Sequence, residues 1–468
     1  MNGSKIESSG KEHLVSVKSQ NGGISGTLYL VSITGVAALG GLLFGYDTAI
    51  VSGVIELLRG HFGLSAMAMG WAASSALAGC VFGAAGAGLG SDRFGRRRML
   101  LLAGLCFLFS AIGTALAPTF FVFIAFRIVG GLGIGAASVV SPLYISEAAP
   151  AKWRGRLVAL NQLAIVFGML LIYIVNYSIH GSGTPAWNLS IGWRWMFASG
   201  IVPSALLLGL LFAVPETARF LLMHGRPEEA ERIAARTGAD TFDEILEAEI
   251  QAPSTTRHLR RVFFVGITLA VLQQVTGINI FLYYAPILFN RVSHSGDTAL
   301  RQTVFVGAVN FVFTIVAMVS VDRTGRKPLL LSGVLGMTIC LAAMGWAMML
   351  GNSSATLLFW VIAYIACFAF SVGPVTWIVL SEIFPSDVRA RAIAVSTAAL
   401  WVSNFAVSQT FPMLDESPTL IAHFGHGFPF FLYAGFCVVE MCFVWRCLPE
   451  TKNRTLEEIS RWWKTKDA

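Results

Sequence analysis

Charge is scarce in this 468-residue chain. Asp, Glu, Lys and Arg together make up 13% of it, about half of the ~25% usual in soluble domains. So little polar surface cannot cover a core drawn from a chain that is 55% hydrophobic. That excludes a soluble enzyme, a disordered protein and a nucleic-acid binder. A cleavable leader is also missing: the polar, mixed-charge start has no short apolar stretch running into a cleavage site, and reads as a cytoplasmic tail. The seven cysteines are odd in number and scattered through apolar runs, which suits packing residues rather than a disulfide framework or a metal cluster. All eight histidines fall in loops, tails or helix ends, so neither a metal site nor a histidine proton relay within the membrane is expected, and no cofactor.

What is abundant is apolar length. A helix of ~20 apolar residues crosses the hydrocarbon layer with its backbone satisfied internally. Such runs lie near 27–52, 66–90, 98–116, 119–141, 157–178 and 193–213, then near 262–290, 302–321, 328–350, 357–380, 391–412 and 427–447. The expected architecture is an all-α membrane protein of twelve spans. A tail (1–26) precedes a six-helix half (27–217), an intracellular segment (218–260) follows, then a second half (261–447) and a second tail (448–468). In the middle segment, PEEAERIAARTGADTFDEILEAEI has the spacing of short amphipathic helices. Of the 33 Lys and Arg, 28 fall in the tails, the middle segment and the loops after even-numbered spans. Excess Lys and Arg mark the cytoplasmic face, so both termini are expected there.

The halves repeat each other. Asp92-Arg93-Phe94-Gly95-Arg96-Arg97 after span 2 matches Asp322-Arg323-Thr324-Gly325-Arg326-Lys327 after span 8, 230 residues on. Glu147, Arg154 and Arg156 match Glu382, Arg389 and Arg391 at an offset of 235, and Pro215-Glu216-Thr217 matches Pro449-Glu450-Thr451 at 234. Parallel repeats of this kind place a substrate site between the halves, near the midplane.

With GGLLFGYDTAIVSG (40–53), RIVGGLGIG (127–135), PLYISEAAPAKWRGR (142–156), QQVTGIN (273–279), GPVTWIVLSEIFP (373–385) and PETKNRTLEEI (449–459), these motifs make the chain resemble the sugar porter family of the major facilitator superfamily over nearly its whole length. Its proton-coupled xylose porters are the most similar. The resemblance implies the major facilitator fold, alternating access, a monosaccharide and a proton as partners, the lipid bilayer as setting, and a monomer. It also implies that the charged loops act as a gate: Asp92, Arg93, Arg96, Glu147, Arg154, Arg156 and Glu216 in one half, and Asp322, Arg323, Arg326, Glu382, Arg389, Arg391 and Glu450 in the other. Physically, Gly95 and Gly325 permit the tight turn, the Asp carboxylate of each loop can sit at a neighbouring helix N-terminus, and the arginines can pair with acids across the cytoplasmic face.

Of 59 charged residues, three lie well inside the spans: Asp47, Arg127 and Glu440. A charge at bilayer depth costs at least ~2.5–3.5 kcal/mol, so a span that keeps one usually has a partner or a use for it. Asp47 and Arg127 have opposite charge and share a half, so pairing is expected, and protonating Asp47 would break the pair. The family's proton symporters have Asp at this position. Gly200 stands where the xylose porters have a second acid. Glu440, near the end of span 12, is expected to snorkel or pack.

A neutral sugar calls for amides and an aromatic face. By resemblance, Gln162, Gln273, Gln274, Asn279 and Trp377 match the family's sugar contacts. Phe44, Tyr283, Tyr284, Asn310 and Trp401 complete the expected set. Leu400 and Met169 replace amides of the xylose porters, making the cavity less polar. A sugar–proton symporter is the first expectation. A facilitative uniporter and a membrane sugar sensor are the alternatives.

Overall fold

Apolar runs of this length must close their backbone hydrogen bonds within each segment. The computed structural model describes residues 24–237, 259–293, 296–350, 354–384 and 389–452, and all regular structure among them is helical. The first half is built from α1 (Ile24–Phe62), α2 (Ala66–Phe94), α3 (Arg96–Ala115), α4 (Phe120–Ala148), α5 (Ala151–Gly181) and α6 (Pro185–Leu211). Two short helices follow, α7 (Ala218–Met223) and α8 (Pro227–Thr237). The rest of the expected amphipathic stretch, 238–258, lies outside the described residues.

The second half starts with a span in three pieces: α9 (Leu259–Val275), α10 (Ile278–Tyr283) and α11 (Ala285–Ser293). Next come α12 (Gly296–Thr324), α13 (Arg326–Met349), and α14 (Ser354–Phe370) with α15 (Val372–Ile383) as one interrupted span. The half closes with α16 (Arg389–Asp415), the short α17 (Pro418–Phe424) and α18 (Phe428–Cys447). Eleven described helices are long and apolar enough to cross a membrane, and the α9–α11 span supplies the twelfth crossing.

Several helices outrun the expected spans. The chain stays helical through Phe62 rather than ending near 52, and through Phe94 rather than near 90. Hydropathy measures the length in contact with lipid, whereas helix hydrogen bonding continues past it into charged residues that face water. Within a half, small residues let helices meet backbone to backbone, as is common between spans. A β-carbon on Gly131 of α4 would lie 1.9 Å from the carbonyl oxygen of Ala76 on α2. Between halves, α2 packs on α16 and α5 on α12. A cavity lies in the interface so formed. The end carrying the Asp92–Arg97 and Asp322–Lys327 turns is called the basic end below.

Candidate functional site

Asp47 lies deep in α1 and Arg127 in α4, and the structure brings them together. Arg127 Nη1 donates to both carboxylate oxygens of Asp47, at 3.0 and 2.9 Å, and Nη2 donates to the Asp47 main-chain oxygen at 3.1 Å. The Arg127 side chain is 1% exposed, that of Asp47 13%. The base is sealed, whereas the acid keeps a small exposed surface. Beside the pair, the Tyr46 hydroxyl lies 2.7 Å from Ser199 Oγ. A side chain at Gly200 would start 3.9 Å from the Tyr46 ring.

The sugar-type amides gather where two spans are interrupted. Gly277 adopts φ +89°, a left-handed conformation that glycine enters without the steric cost of a β-carbon. The carbonyl of Thr276 beside it accepts from the Tyr364 hydroxyl at 3.0 Å. The second interruption, at Ser371, precedes Pro374, which lacks a backbone N–H. Gln273 ties the two together, donating to the carbonyls of Val372 and Gly373, both at 3.1 Å. Gln274 in turn donates to Gln273 Oε1 at 3.2 Å, and Asn279 donates to Gln274 Oε1. One connected row of amides is thereby oriented before any ligand arrives.

This row lines a cavity of about 90 Å³ between the halves, together with Gln162 from α5 and Trp377 from α15. Phe44, Tyr283 and Trp401 line it too. The Phe44 and Trp401 ring centroids are 5.3 Å apart. Trp401 presents a buried indole N–H with no protein acceptor, a donor suited to a ligand hydroxyl. Leu400 and Met169 also reach the cavity.

Two expected residues sit elsewhere. Asn310 is buried behind Met169, its amide 4.0 Å from the thioether sulfur, and is not part of the lining. Tyr284 is fully buried and donates to the Ser408 carbonyl at 2.8 Å. Its aromatic ring suggested a sugar face, but the short α10 turns it towards α16. Asn404 lines the cavity and was not anticipated. It lies one helical turn after Trp401 on α16, a spacing that would have revealed it. Its amide lies 3.5 Å from the Tyr283 hydroxyl. Tyr283, which lines the cavity, is also within electrostatic reach of Asp47 and Arg127.

At the basic end each half builds the same network. Arg96 Nη2 lies 3.0 Å from Glu147 Oε1 and 3.1 Å from Asp92 Oδ1. Thr217 donates to Glu147 at 2.6 Å. In the second half Arg326 Nη2 lies 2.9 Å from Glu382, which also accepts from Thr451. Among the described residues, the carboxylates at these helix N-termini are Glu216 and Glu450, and Asp92 of the first turn pairs with Arg96 instead. Glu216 accepts from the N–H groups of Arg96 and Arg97 at 3.0 and 3.2 Å, and Glu450 from those of Arg326 and Lys327, both at 3.0 Å. A helix N-terminus offers free N–H groups and positive potential, and the turn at Gly95 or Gly325 aims them at these acids.

Of the other gate residues, Arg154 donates to the Ser146 carbonyl at 2.9 Å, and Arg156 lies over the Trp153 ring. Arg93, Arg323 and Arg391 are exposed. The side chains of Asp322 and Arg389 lie outside the described residues. Glu440 does not snorkel: it is fully buried, and neither carboxylate oxygen has a hydrogen-bond partner. Hydropathy places a residue by depth, and here the helix face turns it into the protein.

Comparison with known proteins agrees with this arrangement. The model of the family described as sugar (and other) transporter matches residues 33–463. The D-xylose-proton symporter of Escherichia coli K12 is 42% identical over 93% of this chain and 96% of its own. The arabinose-proton symporter of Bacillus subtilis is 38% identical over 93% and 95%. The glucose facilitated diffusion protein of Zymomonas mobilis is also 38% identical, over 92% and 96%. Among solved structures, a partially occluded inward open conformation of the E. coli xylose transporter XylE superposes with TM-score 0.82 at 41% identity, covering 91% of this chain and 99% of that one. With motifs, fold and relatives in agreement from end to end, the chain belongs to the sugar transporter family and has the major facilitator fold.

Proposed function

We propose that the protein imports a neutral monosaccharide together with a proton, by alternating access across the cytoplasmic membrane of a bacterium. The basic end would face the cytoplasm. The observation that carries the reading is the Asp47–Arg127 pair set beside an amide-lined cavity, with Tyr283 in reach of both. The amide row and Trp401 offer donors and acceptors for sugar hydroxyls without a net charge. Asp47 is the proton-coupling residue. Its protonation removes a charge and weakens the hold of Arg127 on α1, which changes the relative energies of the two conformations, as coupling requires. The paired networks around Arg96 and Arg326 stiffen the basic end of each half, so that the halves move as units.

The relatives named as D-xylose-proton and arabinose-proton symporters support coupling. Proteoliposome uptake of radiolabelled D-xylose, D-glucose and L-arabinose, with and without an inward proton gradient, tests it. The expected result is uphill accumulation that Asp47→Asn abolishes while sugar exchange persists. A wild type that only equilibrates sugar across the membrane would establish a uniporter instead.

A further inference from the structure

Of the two acids that lie well inside the spans among the described residues, the ion pair with Arg127 uses Asp47. The other, Glu440 of α18, has no role in the mechanism above. Its carboxyl is fully buried with both oxygens unpartnered, about 10 Å along the helix from Cys447 at 1.5 Å per residue. An ionised carboxylate in such a place would have neither water nor a counter-charge, an arrangement that proteins avoid by binding a proton.

The surroundings of Glu440 lead to the sugar site. The helix most extensively packed on α18 is α13, with α9, α16 and α17 also in contact. Among the described residues, α13 carries Cys340 midway, and Arg326 and Lys327 at its start. Arg326 pairs with Glu382, and Lys327 donates to the carbonyls of Trp445 and Leu448. On α9 the charged groups are Arg260 and Arg261 at its basic-end start, on α16 Arg389 and Arg391 at its basic-end start and Asp415 at its far end, and on α17 the titratable group is His423. Within electrostatic reach of Glu440 are Cys437, one turn away on α18, and Tyr364 of α14. Tyr364 is the residue whose hydroxyl caps the Thr276 carbonyl at the interrupted seventh span. Two turns from Glu440 on the same face, the Tyr433 ring lies against Gly277, 2.8 Å from where a β-carbon would stand, and its hydroxyl is buried without a partner.

We propose that Glu440 is a second proton-binding group, set in the C-terminal half, and that the interruption at Gly277 responds to its charge through Tyr364 and Tyr433. With the proton bound, the neutral carboxyl stays in apolar packing and the two tyrosines hold the break, keeping Gln274 and Asn279 aligned on either side of it. With the proton lost, the carboxylate is drawn towards the cations at the basic end. The α18 face shifts, the tyrosines loosen, and the amide row loses its alignment. Sugar affinity therefore falls as pH rises. The link to the cavity rests on the sugar-binding reading, whereas the proton site does not.

Infrared difference spectroscopy of the full-length protein across a pH ramp tests the proton site directly. The wild type should show the C=O stretch of a protonated carboxylic acid that titrates, and Glu440→Gln should remove it. Identical spectra would overturn the proposal. Equilibrium binding of D-xylose tests the link, in an Asp47→Asn background that silences the first acid. From acid to alkaline pH, binding should weaken at least about fivefold, the low end of ordinary coupling between sites. Adding Glu440→Gln should flatten that profile. A profile that keeps its full slope in the double variant would overturn the link. A protein that binds none of the sugars tested in any variant would overturn the sugar reading and leave the infrared result to decide the proton site.

Discussion

Arg59 near the end of α1 reaches Glu416 just beyond α16, with Nη1 2.7 Å from Oε1. The two residues belong to different halves and lie at the end of the bundle opposite the basic end. One turn earlier on α1, Glu56 accepts from Asn290 of α11 at 3.1 Å, a second tie across the same seam. Further along the interface, Ser74 of α2 donates to Gln409 of α16 at 2.8 Å. The halves are thus joined by side chains at the far end, while the Arg96–Glu147 and Arg326–Glu382 pairs each stay inside one half.

Such a bridge should favour the conformation closed at that end, by a small amount. Its side chains are 46% and 27% exposed, and exposed pairs contribute ~0.2–1 kcal/mol, screened further by salt. Arg59→Gln and Glu416→Gln should each raise the population open at the far end by no more than about fivefold, and the double variant should match either single one. Electron-paramagnetic distance measurements between labels on either side of the seam would read this. Additive effects of the two substitutions would show that the bridge does not act as a unit.

The Asp47–Arg127 pair should behave differently, because it is buried. Removing Arg127 leaves a carboxylate in the membrane interior, a change that typically costs ~3–5 kcal/mol. Arg127→Gln should therefore lower Tm markedly at neutral pH. Asp47→Asn with Arg127→Gln removes both charges and should be more stable than Arg127→Gln alone, while failing to accumulate sugar uphill. Thermal unfolding in detergent measures the first result and proteoliposome uptake the second. A double variant less stable than the single one would argue against mutual compensation.

The contrast between these two pairs explains what the sequence reveals. Asp47 and Arg127 stand out because charge inside an apolar run is expensive, so a composition rule finds them. Arg59 and Glu416 are ordinary loop-proximal charges 357 positions apart, and no local pattern joins them. The repeat at offsets near 234 disclosed two halves, because the same turn chemistry recurs at the same depth. It did not disclose which carboxylate caps which helix: Glu216 and Glu450 come from a later span and take that place only when it packs against the turn. Gln273, Gln274 and Asn279 were legible because amides on a span interrupted by glycine have few other uses. Asn310 has the same chemistry but lies behind Met169, and only packing tells the two cases apart.

The amide row predicts graded effects on sugar binding. Gln274 bonds both Gln273 and Asn279, so Gln274→Ala removes a cavity-lining amide and leaves two buried amides without their partner. At ~1–3 kcal/mol for such a loss, binding should weaken roughly five- to hundredfold. Gln162→Ala should also weaken it. Met169→Gln should do the opposite for a more hydroxylated sugar, because it places an amide within reach of Asn310 and the cavity, a gain of ~0.5–1.5 kcal/mol for one added hydrogen bond. Equilibrium binding with a sugar series would check all three. Unchanged binding in both alanine variants would remove these residues from the site.

The two capping acids at the basic end should respond to pH in opposite senses. Burial pushes the Glu216 carboxyl up, and the N–H groups of Thr217, Arg97 and Arg96, with the charge of Arg96, only partly offset it, so its affinity for a proton ends above the ordinary value. Burial also pushes Glu450 up, but the N–H groups of Lys452, Arg326, Lys327 and Thr451 outweigh it, and the result lies below the ordinary value. An acid whose folded pKa is raised binds protons more readily folded than unfolded, so its contribution grows as pH falls from the raised pKa towards the ordinary carboxylate range. An acid whose folded pKa is depressed contributes fully above the ordinary range and loses that contribution as pH falls through its folded pKa. The Tm difference between wild type and Glu450→Gln should therefore shrink on acidification, while that between wild type and Glu216→Gln should move in favour of the wild type. Thermal unfolding of both variants across the carboxylate range would measure this. Parallel profiles would mean that the two halves hold their capping acids alike, and that the greater burial of Glu216 has no energetic consequence.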